Sequence, residues 1–158
     1  MAITYEPIAT QTLGSATATV TFSSISGTYT DLVLVWTGIN STDAGVNYSF
    51  NSNTTASDYS FTRLYGDGSS ATSDRATSAR NFNGISGSTQ SMNIAHIQNY
   101  SNTTTFKTTL IRNNYGPIVL SCVGLWRKTD AISSIALSAT GGSFNTGSTF
   151  TLYGIKSA

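Results

Sequence analysis

Thr149-Phe150-Thr151-Leu152-Tyr153-Gly154-Ile155 alternates, with Phe150, Leu152 and Gly154 on one side and Thr149, Thr151 and Tyr153 on the other. A period of two is the pattern of a strand with two unlike faces. It returns in segment after segment of this chain, while no stretch keeps a helical hydrophobic period. That repetition restricts the fold more than any other feature, because strands of this kind must share sheets and bury one side of them. With only Lys156, Ser157 and Ala158 after it, the last strand is expected to be central or well paired, since frayed ends are what a fold can do without.

Residues 1–14 read as an extended arm or edge strand: Pro7 holds Glu6 in β or polyproline geometry and Leu13-Gly14 marks a turn. Residues 15–158 then form one domain. Ala16 to Phe22 alternates with threonine, and Asp31 to Thr37 is the most apolar run, expected as a central strand covered on both faces. Val46 to Asn51 places Val46, Tyr48 and Phe50 inward, and Tyr59 to Tyr65 puts Tyr59, Phe61, Arg63 and Tyr65 on one face. Gly66 to Thr89 carries few large apolar residues and reads as the longest loop. Ser91 to Gln98 is a strand in which Met92 and Ile94 alternate. Thr104 to Arg112 and Ile118 to Trp126 make a hairpin around Asn113-Asn114-Tyr115-Gly116-Pro117, and Ile132 to Ser138 precedes the last strand. About nine or ten short strands separated by turn signals predict an all-β fold, an antiparallel β-sandwich of jelly-roll type.

The chemistry is sparse. Only 9% of residues are charged, against ~25% in an ordinary soluble domain. The net charge is +1 with scattered basic residues, so no stripe exists to neutralise a run of phosphates and no nucleic-acid partner is expected. The first residues lack a basic and apolar leader pattern and no long apolar run follows, which predicts a soluble chain made in a cytoplasm, with no membrane partner. Cys122, the only cysteine, lies in an apolar run as a buried small hydrophobe. His96, the only histidine, alternates with Met92 and Ile94 as a sheet histidine and leaves a nucleophile without a base. Of the carboxylates, Asp58, Asp67 and Asp74 are the only plausible acids for a hydrolase, and acids beside turns have an ordinary structural use. Asp67-Gly68-Ser69 with Asp74 lacks the ligand spacing of a calcium loop. No zinc set or phosphate-cradling loop is present. The expectation is a non-enzyme without cofactor or metal.

Two end motifs carry a more specific likeness. Tyr5-Glu6-Pro7-Ile8-Ala9-Thr10, continuing through Leu13-Gly14-Ser15 to Val20-Thr21-Phe22-Ser23-Ser24-Ile25 and Tyr29-Thr30-Asp31-Leu32, and the closing Gly147-Ser148-Thr149-Phe150-Thr151-Leu152-Tyr153-Gly154-Ile155, together resemble a group of small β-rich virion proteins of tailed bacteriophages. Residues 40–116 are only generically similar. The resemblance implies a structural protein on the outside of the particle, of the capsid decoration or the tail-associated type. The expected role is that of a homotrimer that binds the major capsid protein and cements the head, with Tyr5, Glu6, Pro7 and Ile8 of the arm making the contact by strand addition. The alternative is a tail or fibre-tip module that recognises a host surface glycan through Tyr65, Asp67, Arg75 and Arg80 in and beside the 66–89 segment.

Overall fold

The computed structural model describes residues 5–156, so the first four residues of the expected arm and the last two of the chain lie outside it. Among the described residues twelve strands follow in order: β1 (Tyr5–Thr12), β2 (Thr19–Phe22), β3 (Asp31–Gly38), β4 (Ala44–Phe50), β5 (Tyr59–Gly66), β6 (Ala71–Ala76), β7 (Asn81–Ile85), β8 (Ser91–Ile97), β9 (Lys107–Tyr115), β10 (Ile118–Trp126), β11 (Ile135–Ala139) and β12 (Thr149–Ile155). One turn of 3-10 helix, Ala56–Asp58, precedes β5. Two sheets result: eight strands in the order β1-β12-β3-β8-β9-β10-β5-β6, and four in the order β2-β11-β4-β7. Every pairing is antiparallel. The protein is an all-β antiparallel sandwich, as its period-two segments require.

The two strands beyond the expected number fall in residues 66–89. That segment is not a loop: β6 extends the large sheet against β5, and β7 closes the small sheet against β4. Their sequences, Ala71-Thr72-Ser73-Asp74-Arg75-Ala76 and Asn81-Phe82-Asn83-Gly84-Ile85, carry no apolar alternation because each is an edge strand held by its backbone ladder. The last strand is well paired, with β1 on one side and β3 on the other. In the hairpin the ladder runs three residues further than expected, to Tyr115 opposite Ile118. Gly116, at φ +55°, and Pro117 make the two-residue turn that such a register needs.

The core lies between the sheets and is largely aromatic. Trp36 stacks on Phe150 with centroids 5.4 Å apart and meets Phe144 edge-on at 6.0 Å. At the other end Tyr48 stacks on Phe82 at 5.2 Å, and Tyr59, Phe50 and Trp126 close the cluster. The β4–β7 register shifts between Val46 and Asn47, which are opposite Asn83 and Asn81. Phe82 is left as the extra residue and its ring is fully buried. It lies flat over Gly124 of β10, where a Cβ would stand 2.5 Å from the ring.

Two strands of the large sheet face opposite to what their apolar residues suggest. In β8 the inward side chains are Ser91, Asn93, Ala95 and Ile97, while Met92 and Ile94 point out. In β9 Lys107, Thr109, Ile111 and Asn113 point in, and Leu110 and Arg112 point out. The cause is β7. As the edge of the smaller sheet it carries backbone groups without a neighbouring strand, and buried groups of that kind need partners. Asn113 Nδ2 donates to the Gly84 carbonyl at 3.0 Å and Ser91 Oγ accepts from the Ser86 amide at 3.1 Å, while the Asn83 side chain donates to that of Asn93 across the sheets. The polar residues were needed inside, so the apolar ones occupy the outer face. In β3, Leu32, Leu34 and Trp36 enter the core, while on the opposite side Val33 is also buried and Val35 half-buried.

Candidate functional site

The residues expected to meet a partner through the arm lie within the sheet. Tyr5 is opposite Ile155, Glu6 opposite Gly154 and Pro7 opposite Tyr153, and Ile8 falls at a register irregularity. Glu6 pairs with Lys156 at 2.6 Å. Pro7 removes one donor from an edge that Ile8 also interrupts, and edge strands carrying a proline and an irregularity resist further pairing. β1 is thus the outer strand of the large sheet, paired on one side with β12. Deleting residues 5–12 is therefore expected to uncover the β12 ladder and cause association of the chain, measurable as a rise in light scattering at fixed concentration. A monodisperse, folded truncation would contradict this.

The four residues of the glycan alternative do not converge. Tyr65 lies near the end of β5, and Arg75 is on the edge strand β6. The Asp67 carboxylate is consumed by its own turn, accepting from the Ser69 and Ser70 amides at 2.9 Å each, which holds it well below the usual carboxylate range. Arg80 reaches Ser49 on the outer side of the small sheet. The expected hydrolase acids are equally dispersed. Asp58 accepts from Asn53 at 2.7 Å and pairs with Lys128 at 3.3 Å, the Asn53 contact being the main reason its carboxyl stays below its ordinary value. Asp74 makes a two-pronged pair with Arg63 at 2.6 and 2.7 Å. Cys122 is buried, as expected, and burial pushes its thiol up to about 12. Among the described residues no three metal-ligating side chains gather, and no helix is long and apolar enough to cross a membrane.

What the fold does assemble is a surface. The outer face of the large sheet carries cross-strand rows. One runs Val119, Asn114, Met92, Thr37 and a second Leu64, Ser121, Arg112, Ile94, Val35. The third runs Thr62, Val123, Leu110, His96, Val33. Val119 is 63% exposed, Met92 60% and Leu64 58%, and Val123, Leu110 and Ile94 are also open. A groove of about 710 Å³ crosses these rows, lined by Leu64, Met92, Ile94, Val119 and Arg112 among others. His96 lies in the third row, half-buried. Toward β1 the face becomes polar: Thr10 bonds to Thr151 at 3.1 Å and Thr12 to Thr149 at 3.2 Å. Four strands at about 4.8 Å spacing give the apolar part a footprint of roughly 300–400 Å², the size at which an exposed patch on a monomer is commonly an interaction site. Period-two reading located these strands, and a β8 segment with apolar and polar residues on opposite sides could be assigned to either face. The deciding residues, the inward asparagines of β7 and β9, lie far apart in sequence.

No protein-family model and no curated protein sequence matches the chain. Among solved structures, an exo-inulinase from Aspergillus awamori superposes with a TM-score of 0.50 at 14% identity, over 96% of this chain. The chain spans about a third of that enzyme's length, 30%. An alginate lyase gives 0.41 at 14% identity over 92% of this chain and 77% of its own. Mouse laminin α1 domains LG4-5 give 0.38 at 13%, over 90% and 40%. What the chain shares with the inulinase, at this identity, is the two-sheet β architecture.

Proposed function

We propose that this chain is a non-enzymatic structural protein of a bacteriophage particle, a capsid decoration protein that docks on the outer capsid surface and stabilises the head. The observation that carries the docking role is the row of Leu64, Met92, Ile94, Leu110, Val119 and Val123 exposed together on four adjacent strands. A soluble sandwich normally turns its polar side outward there, and a contiguous apolar face is stable in water only at a cost that a partner removes. The virion assignment rests on the likeness of the two end motifs, which β1 and β12 bring side by side as paired strands. The nearly uncharged Ser, Thr and Asn surface elsewhere suits many copies at close spacing, where like net charges would repel.

The test is occupancy on phage heads assembled without this protein. Adding the purified chain is expected to give saturable binding, counted by sedimentation and by particle reconstruction, and to raise the temperature at which the heads release DNA. Absence of saturable binding sinks the decoration reading.

A further inference from the structure

We propose that Arg112 anchors this docking face, and that the occupant is a protein surface that is apolar around a single carboxylate, which pairs with the Arg112 guanidinium. The inference rests on the docking role proposed above and names the chemistry of its partner.

Arg112 stands between Ser121 and Ile94 in the middle row of the apolar face. Other cations of the chain have partners within it. Arg63 holds Asp74, Lys128 holds Asp58 and Lys156 holds Glu6. Arg127 donates to the carbonyls of Ser57, Tyr59 and Thr77, and Lys107 to those of Thr105 and Thr129. Arg112 makes no hydrogen bond or ion pair with any described residue, and Arg75, opposite Thr62 at the rim of the same face, adds a second positive charge.

The carboxylates are engaged elsewhere. Asp43 accepts from the Gly87 amide at 2.7 Å on the loop after β7. Asp31, the acid at the border of the outer face, accepts from the Asn99 amide at 2.6 Å. It lies four residues along β3 from Val35 in the Arg112 row, about 13 Å along the sheet and about 10 Å across it. Asp67, one residue beyond the groove-lining Gly66, is taken up by the Ser69 and Ser70 amides of its own turn, so the face is apolar and cationic and, among the described residues, Arg112 has no anion paired with it.

A second copy of the chain is a poor occupant, because two such faces pressed together would bring like charges into a desolvated contact. A partner offering one Asp or Glu within an apolar surface satisfies both features. The small footprint makes the charge pair matter: roughly 300–400 Å² is about half of what each side of a stable interface buries. A desolvated, bidentate arginine–carboxylate pair supplies orientation as well as energy.

The experiment measures binding of the full chain to undecorated heads for wild type, Arg112→Glu, Arg112→Lys, Ile94→Asp and, as a control of introduced negative charge on the outer side of the small sheet, Thr21→Glu. All the substituted positions are at the surface, so thermal melts and circular dichroism should match wild type. Arg112→Glu and Ile94→Asp are expected to weaken binding by about 100-fold or more, Arg112→Lys by about 10-fold, and Thr21→Glu by less than about 2-fold. Wild-type binding that survives Arg112→Glu overturns the inference and leaves the decoration reading standing. Failure of the wild type to bind heads removes both. Self-association of the purified wild type that Arg112→Glu abolishes makes a second copy the occupant, and also overturns the inference.

Discussion

Replacing Phe82 by alanine is expected to lower the unfolding free energy by about 3–5 kcal/mol, read as a lower urea midpoint with an unchanged slope. The ring is fully buried and joins strands of both sheets: it stacks on Tyr48, leans on Tyr59 at 6.2 Å and meets Phe61 edge-on at 6.5 Å. β7 cannot slide to fill the space, since its ladder to β4 fixes it. The complementary change is Gly124→Val, which drives a branched side chain into that same ring and is expected to cost about 3 kcal/mol. The two losses should not add. With the ring gone the valine has room, so the double variant is expected to recover about 1–3 kcal/mol relative to the sum. Strict additivity would mean that Phe82 and Gly124 do not share a contact.

The second large effect is alkaline. Burial pushes the hydroxyl of Tyr59 up to about 12 and the thiol of Cys122 up to about 12, and raises Tyr48, Tyr100 and Tyr115 as well. These groups ionise more readily in the unfolded chain, near 9 for the thiol and 10 for the phenols. Each therefore contributes stability that is fully present below its unfolded value and is lost as pH rises toward the folded one. Burial lowers Lys107, which acts in the opposite sense, but it is a single group. The Cys122 thiol and the Tyr59 hydroxyl set the window, and stability is lost between about pH 9 and pH 12. Urea midpoints measured across that range should fall steadily. Cys122→Ala should move the onset upward, toward the tyrosine range. A midpoint that stays level through the range would contradict the burial of these groups.

The sequence made the strands legible where one face meets the core with apolar side chains. Val46, Tyr48 and Phe50, or Phe150 and Leu152, declare both the strand and its inward side. It failed where backbone pairing alone makes the strand, as in β6 and β7, and where a polar side chain is drawn inward to meet another strand, as with Asn113 on the Gly84 carbonyl and Asn93 on the Asn83 side chain. The docking face follows from that second failure. The side to which Met92 and Ile94 turn is open until the partners of Asn83 and Gly84 are known, and those partners come from strands with which β7 forms no ladder. Arg112 gave no signal of its own, being one scattered cation among eight basic residues. Its significance comes from the apolar neighbours that β5, β8 and β10 place around it.

The position of β12 between β1 and β3 also governs the order in which the molecule can be made. A ribosome delivers β1 long before β12, so β1 must wait for all the intervening strands to be synthesised before the strand it pairs with appears. Closing so long a loop carries a large entropic cost, and sheets dominated by such distant pairings form slowly. Until then, β3 keeps an open edge on the side that β12 will fill. The interval between emergence of β3 and arrival of β12 is thus when a nascent chain is most prone to pair with its neighbours on a polysome, and the interruptions at Pro7 and Ile8 keep the waiting first strand from being one of the places where that begins.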